Sequence, residues 1–363
     1  MNQIQFCDLH CDTAMELIAG NRLNDTSTQV NLPSMTLGNV AIQLFACYVP
    51  PSIPEGERAP LVSNMMDHLK REIEVNSEQI ALCTTCDDIV SRMEEGVKCA
   101  VMTIENGMAI ENDLRNLEKF YEDGIRCITI VHAKSHDWAI SSNDQHPAFD
   151  GLTPFGEKVI AAMNEMGMII DVSHAHDITV EKILKISKLP VIASHSCVRE
   201  LCDSPRNLSD DLIRKIADGG GMVGINFYPG FLDDRYAKLI DERAGSLFSE
   251  LSRMEKKAGN DIGEISRMFQ QFRVTLKDKM RDAPVSMDRI FQHVLYIIDL
   301  VGDDCVGFGS DFDGIPDTPE NFDDCGSFRH IADWFHDAGF STERMNNISH
   351  QNFLRIFKLH NNC

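Results

Sequence analysis

The sequence predicts an α/β chain folded as a (β/α)8 TIM-like barrel, with a helical segment inserted between its seventh and eighth strands. Three observations carry that expectation. Eight short runs rich in Val, Ile and other apolar residues show little alternation, the pattern of strands buried on both faces. Stretches of helical periodicity separate most of these runs, giving the strand-then-helix rhythm of a parallel barrel. Finally, His, Asp or Glu residues close or follow several of the runs, and barrels of this kind assemble their chemistry at the strand C-termini.

The strands are expected at 4–9, 40–49, 99–105, 127–132, 168–173, 190–194, 222–228 and 305–310. Helices are expected at 62–77, 87–95, 113–123, 154–166, 177–187 and 208–219. Gly124, Gly167 and Gly219 fall at helix ends, where the left-handed conformation is cheapest for glycine. Residues 231–284 break the rhythm, being strongly charged with Phe and Met at helical spacing. This segment is expected to form a helical hairpin packed on the barrel; the other reading is a lid or subunit contact over the site. A length of 363 residues would allow two or three domains, but a barrel with insertions absorbs it, so one domain over 1–363 is expected.

Composition removes several classes of function. The net charge of -22, from 56 acidic and 34 basic residues, would repel a phosphate backbone, so nucleic acid is not an expected partner. No run of eighteen apolar residues occurs, so no membrane span is expected. The N-terminus has neither a basic n-region nor an apolar h-region, which places the chain, if complete, in the cytoplasm. Twelve cysteines scattered through the chain, several inside predicted strands, fit buried thiols in a reducing compartment better than a disulfide scaffold. Cys83 and Cys86 have CxxC spacing, but no second pair completes a four-thiolate site.

The strand ends carry the chemistry. In an extended strand His10 and Asp12 share one face while Cys11 turns away, so imidazole and carboxylate can chelate a divalent metal together. Asp8 is one layer deeper on that face and reads as a supporting polar group. Glu105 ends the third run before Asn106-Gly107, His132 ends the fourth, and His174, His195 and Asp311 follow later runs. Two metals about 3.5–4 Å apart need a ligand that reaches both, and Glu105 is the natural bridge. His10 and Asp12 would complete one site, with His174 and His195 completing the other. This nitrogen and oxygen set suits zinc, and also manganese, cobalt or iron. Each residue has a plainer role open to it: a hydrogen-bonded core histidine, or a helix cap in the case of Asp12. His176 is expected to lie past the strand, Asp177 to cap the next helix, and His136 and His146 to be solvated.

These motifs resemble the membrane (renal) dipeptidase family of zinc peptidases. The resemblance spans nearly the whole chain and rests on DLHCDT, TIENG, the His of ITIVHA, IDVSH followed by SHS, SPRN, and GFGSDFDG. It implies two Zn2+ per subunit, one held by His10, Asp12 and Glu105, the other by Glu105, His174 and His195. It also implies that His132 polarises the scissile carbonyl, that Arg206 pairs with the substrate α-carboxylate, and that Asp311 handles the proton as a metal-bridged hydroxide attacks. Free dipeptides would be the substrates. Some members of such a family accept a C-terminal D-residue and some open β-lactams; the residues favour neither. A homodimer is the expected assembly.

Other readings remain in competition. An amidohydrolase acting on a cyclic amide or an N-acyl amino acid usually opens with HxH, whereas this chain has HxD and a glutamate bridge. A metal-dependent nuclease is opposed by the charge. A catalytically silent metal-binding scaffold would require a missing site residue, and none is missing. For Arg206 alone, an ion pair with Asp210 or Asp211 is the plainer alternative.

Overall fold

The computed structural model describes residues 4–361. Nine parallel strands form its sheet: β1 (Phe6–Cys11), β2 (Val40–Tyr48), β3 (Ile80–Leu82), β4 (Lys98–Glu105), β5 (Ile125–Thr129), β6 (Ile169–Asp171), β7 (Ile192–Ala193), β8 (Met222–Ile225) and β9 (Val306–Phe308). Their order is β2-β1-β9-β8-β7-β6-β5-β4-β3, and a further pairing of β2 with β4 closes eight of them into the expected barrel. The ninth, β3, pairs with Lys98–Ala100 at the start of β4, below the point where β5 takes the same edge. No strand was expected there, since three residues are too few to show a period.

Burial explains why the runs lack alternation. Every residue of β1 is buried, and all of β2 except Tyr48, because one face fills the barrel and the other lies under helices. Helix starts are set locally. Thr153 accepts a hydrogen bond from Gly156 N ahead of Pro154–Met166, and Thr85 forms a capping box with Asp88 ahead of Cys86–Glu94. His176, rather than the expected Asp177, caps Asp177–Ile186 through its Nδ1. The strands stop earlier than expected: β5 ends at Thr129 and β6 at Asp171, so His132 and His174 sit just beyond them.

Between β8 and β9 the chain forms four α-helices, Pro229–Leu232, Asp234–Ala258, Ile262–Met280 and Asp288–Val301. The middle two are the inserted pair. They pack on each other and reach across the barrel mouth: Asn260 donates to Glu57 Oε2 at 2.7 Å, and Ser266 donates to Glu16 Oε1 at 2.9 Å. Among the described residues no helix is long and apolar enough to cross a membrane. The eleven cysteines among them are all buried, Cys83 and Cys86 included.

Candidate active site

Strand ends deliver the ligands to one point. His10 lies in β1 with Asp12 just past it, Glu105 is the last residue of β4, and His132, His174, His195 and Asp311 follow β5, β6, β7 and β9. Oε1 of Glu105 is 3.0 Å from His174 Nε2, 3.4 Å from His195 Nε2, and 3.8 Å from both His10 Nε2 and His132 Nε2. His174 and His195 bring their Nε2 atoms within 2.9 Å of each other. His10 Nε2 is also 3.7 Å from Asp12 Oδ2 and 3.8 Å from Asp311 Oδ1. All seven residues therefore meet, and Asp311 lies as near to His10 as Glu105 does.

The turns that aim these groups are conformationally costly. Asn106, His174 and Asp311 adopt φ of 88°, 65° and 63°, the left-handed region that residues with a Cβ avoid. Their position at the rim of the barrel shows where the fold spends strain to direct side chains inward. Gly314 makes room for the cluster, because a Cβ there would fall 1.9 Å from Asp12 Oδ2. Asp8 ties β1 to β9 beneath the site by accepting from Ser310 N at 2.7 Å and Ser310 Oγ at 2.6 Å. Asp311 N in turn donates to the His10 carbonyl at 3.1 Å.

Electrostatics favour a cation at this point. Burial lowers the pKa of His10, but the carboxylates of Glu105, Asp12 and Asp311 outweigh it and lift the pKa to about 10. Burial, reinforced by Asp12, raises Glu105 well above the usual carboxylate range. Burial likewise raises Asp311 to about 6, against the attraction of His10. His132 is held neutral, its pKa pushed down to about 3 by burial and by Arg206. His10 Nε2 and Asp12 Oδ1 are buried without a hydrogen-bond partner. Unpartnered buried polar atoms are costly, and a thiolate-free set of imidazole nitrogens and carboxylate oxygens fits a divalent cation.

Beneath the ligands lies a network that sequence reasoning missed. Asp171, at the end of β6, accepts from Thr129 Oγ1 (2.6 Å), Ser173 N (2.9 Å), Ser194 N (2.8 Å) and Ser194 Oγ (2.6 Å). Ser194 Oγ lies 2.7 Å from His195 Nδ1. With its O–H directed to Asp171 Oδ2, the hydroxyl oxygen accepts from Nδ1–H, which leaves the His195 Nε2 lone pair facing Glu105. The signal in the sequence was a polar Asp inside an otherwise apolar run. Asn226, just past β8, was missed too; it donates to Asp311 Oδ2 at 2.8 Å. His136, expected in solvent, instead points its Nε2 at the Ile130 carbonyl (3.0 Å) and is partly buried.

Arg206 is buried at 5% exposure beside the cluster. Two of its nitrogens donate to Ser196 Oγ and the His195 carbonyl, each at 2.8 Å, and Nε has no partner. Asp210 and Asp211 pair instead with Arg214 and Lys215. Above these groups opens a cavity of about 360 Å³ whose lining includes Asp12, Glu105, His132, His174 and Asp311.

Fold and donor cluster together define the class: a (β/α)8 barrel protein with a cluster of candidate metal ligands at the C-terminal mouth of its strands. More particularly, the chain belongs to the membrane dipeptidase family, peptidase family M19, whose model matches residues 1–362. Dipeptidase 3 of Mus musculus and of Rattus norvegicus are each 27% identical to it over 342 residues, 93% of this chain. The chain spans only 59% and 60% of the length of those two relatives. Among solved structures, a metallopeptidase from Rhodobacter sphaeroides bound to a phosphinate mimic of the dipeptide L-Ala-D-Ala superposes with a TM-score of 0.80 at 23% identity, covering 99% of this chain and 100% of that one. The probable dipeptidase PvdM from Pseudomonas aeruginosa gives a TM-score of 0.82 at 22% identity, covering 99% and 96%. At these identities the likeness shows the fold.

Proposed function

We propose that this protein is a binuclear zinc dipeptidase that hydrolyses the peptide bond of free dipeptides, L,D as well as L,L. The observation that carries this reading is one carboxylate oxygen, Glu105 Oε1, within 3.8 Å of four imidazole nitrogens at a barrel mouth. His10, Asp12 and Glu105 would hold one ion, and Glu105, His174 and His195 the other; manganese, cobalt or iron suit the same donors. When bound, such ions act as Lewis acids and lower the pKa of water from 15.7 to about 7. The Rhodobacter neighbour's ligand supports the L,D substrates.

The chain's own groups divide the remaining work. Asp311 takes the proton of the attacking water and returns it to the leaving amine, a role suited to a carboxyl that lines the cavity beside His10. Asn226 fixes one of its oxygens and leaves the other, Oδ1, facing His10. His132 is neutral and reaches the cavity, so its ring donates to the carbonyl oxygen as charge develops there. Arg206 meets the α-carboxylate with the donor capacity its two internal hydrogen bonds leave free. A longer peptide would bring an amide to that position and lose the charge pairing.

Metal analysis with a panel of L,L and L,D dipeptides, zinc added and removed, tests this reading. Two ions per chain and zinc-dependent cleavage of free dipeptides are expected, while C-terminally amidated dipeptides and N-acyl amino acids are spared. Fewer than two ions with every dipeptide left intact would overturn it.

A further inference from the structure

The inserted helices form the roof of the cavity, and most of the side chains they lower into it are apolar. Phe248 and Leu251 come from Asp234–Ala258, and Ile265, Phe269 and Phe272 from Ile262–Met280. The rings brace one another, with Phe248 and Phe272 centroids 4.8 Å apart and Phe269 and Phe272 6.2 Å apart. Phe272 is buried, whereas Phe248 and Phe269 keep part of their surface open. Among the described residues, the charged groups the roof contributes to the lining are Glu255 and Lys256, close to the hairpin tip.

The ring of strands says which end of a substrate meets this wall. In the closed order, β7 stands diametrically across the barrel from β2. Arg206 leaves from the loop after β7, while Met15 and Tyr48, from the helix Thr13–Ile18 after β1 and the end of β2, line the opposite side of the cavity. The helix Ile262–Met280 packs over that opposite side, on Thr13–Ile18, through the Ser266–Glu16 hydrogen bond. A dipeptide with its carboxylate at Arg206 therefore extends its N-terminal residue away from β7 and under the roof helices.

We infer that the roof builds the subsite for the N-terminal side chain and makes the enzyme select dipeptides that begin with a bulky apolar residue such as Leu, Met or Phe. This inference rests on the dipeptidase reading given above. Burying a large apolar side chain against the rings is favourable in proportion to the area removed from water, whereas a charged side chain pressed against the rings would lose hydration, and Asp would in addition lie in a cavity that Glu255 lines. Hydrophobic pockets of this kind discriminate by roughly 10- to 200-fold for small changes in bulk.

The zinc-loaded enzyme is tested on Gly-Ala, Leu-Ala, Phe-Ala, Asp-Ala and Lys-Ala, together with the reversed series Ala-Gly, Ala-Leu and Ala-Phe. The expected kcat/KM for Phe-Ala and Leu-Ala exceeds that for Gly-Ala by at least about 10-fold, with Asp-Ala lowest. Phe269→Ala is expected to shrink the Phe-Ala to Gly-Ala ratio at least about 5-fold, and Phe269→Trp, by filling the subsite, to shrink it as well. Phe269→Leu guards against a folding defect, and its ratio falls between those of wild type and Phe269→Ala. A flat N-terminal series, a preference appearing only in the reversed series, or a ratio unmoved by the Phe269 variants overturns the inference while leaving dipeptidase activity standing. Failure to cleave any dipeptide overturns the dipeptidase reading and this inference with it.

Discussion

On the floor of the cavity every candidate ligand sits at the end of a barrel strand or within three residues past it. The roof is held differently: the helices Asp234–Ala258 and Ile262–Met280 meet the barrel through contacts outside its sheet, such as Asn260–Glu57 and Ser266–Glu16. The floor's geometry thus follows from closing an eight-stranded ring, which leaves little freedom once the hydrogen bonds form. The roof depends on side-chain packing that can change while the ring stays intact. Chemistry placed on the rigid part and selectivity on the adjustable part lets one change without the other.

The largest effect expected on the floor is that of Asp311→Asn, with dipeptide turnover falling at least about 100-fold. Zinc content, measured on the same preparation, separates two roles. Asp311 Oδ1 is 3.8 Å from His10 Nε2, so a carboxylate that ligates as well as shuttles protons would lower metal content together with turnover. Retained zinc with lost turnover is the outcome expected for proton handling; near-normal turnover removes Asp311 from that role.

A smaller loss should follow from Asp171→Asn, which touches no substrate. Its amide keeps the volume but offers one acceptor oxygen in place of two, so with that oxygen kept on the Ser173 and Ser194 N–H groups, its NH2 faces the Ser194 and Thr129 hydroxyls that Oδ2 accepts from in the wild type. His195 is then free to take the other tautomer. Metal affinity should fall about 10- to 100-fold at the site His195 serves, read by titrating Co2+ into metal-free protein. Ser194→Thr should restore what Ser194→Ala loses, since only the hydroxyl is required. Equal affinity in Asp171→Asn and wild type would show that the network supports the strand and not the ligand.

The floor was legible in the sequence because its signal is local: a His, Asp or Glu at the end of an apolar run. The seven residues chosen that way all converge. Asp171 escaped because it lies inside the run Met168–Ser173, where pattern reading sees only a strand, and its partners come from β5 and the loop after β7. The roof was legible as helices but not as a cavity wall. Apolar periodicity identifies the buried face of a helix without saying whether it faces a core or a ligand, and Phe269 and Phe272 look alike in that respect. His136 was misread for a related reason: a loop rich in Asp and Asn suggested solvent, yet its ring satisfies the Ile130 carbonyl below.

The smallest expected effect concerns the joint between the two regions. His293, fully buried in Asp288–Val301, accepts from Val198 N through Nδ1 at 3.0 Å and lies 3.2 Å from the Leu232 carbonyl through Nε2. It therefore pins the loop carrying Arg206 to the segment from which the roof departs. Burial, together with Arg289, lowers its pKa to about 4, against the pull of the Leu232 carbonyl and Asp233. The folded pKa is thus below the ordinary 6.5, so between 6.5 and 4 the unfolded chain binds the extra proton. Stability from this group is full above pH 6.5 and is lost as pH falls toward 4. From pH 6.5 to 5.5 the loss is about 1 kcal/mol, and the slope then approaches about 1.4 kcal/mol per pH unit. Asp8 and Asp313, raised to about 6 by burial, act in the opposite sense, because acidification protonates them first in the folded state. The informative quantity is therefore the difference between wild type and His293→Gln in denaturant-derived stability across this window. Gln keeps an acceptor for Val198 N and a donor for Leu232, and it does not titrate. A wild-type slope steeper than the variant's by this amount assigns the acid sensitivity to the joint, whereas parallel curves would place it elsewhere in the fold.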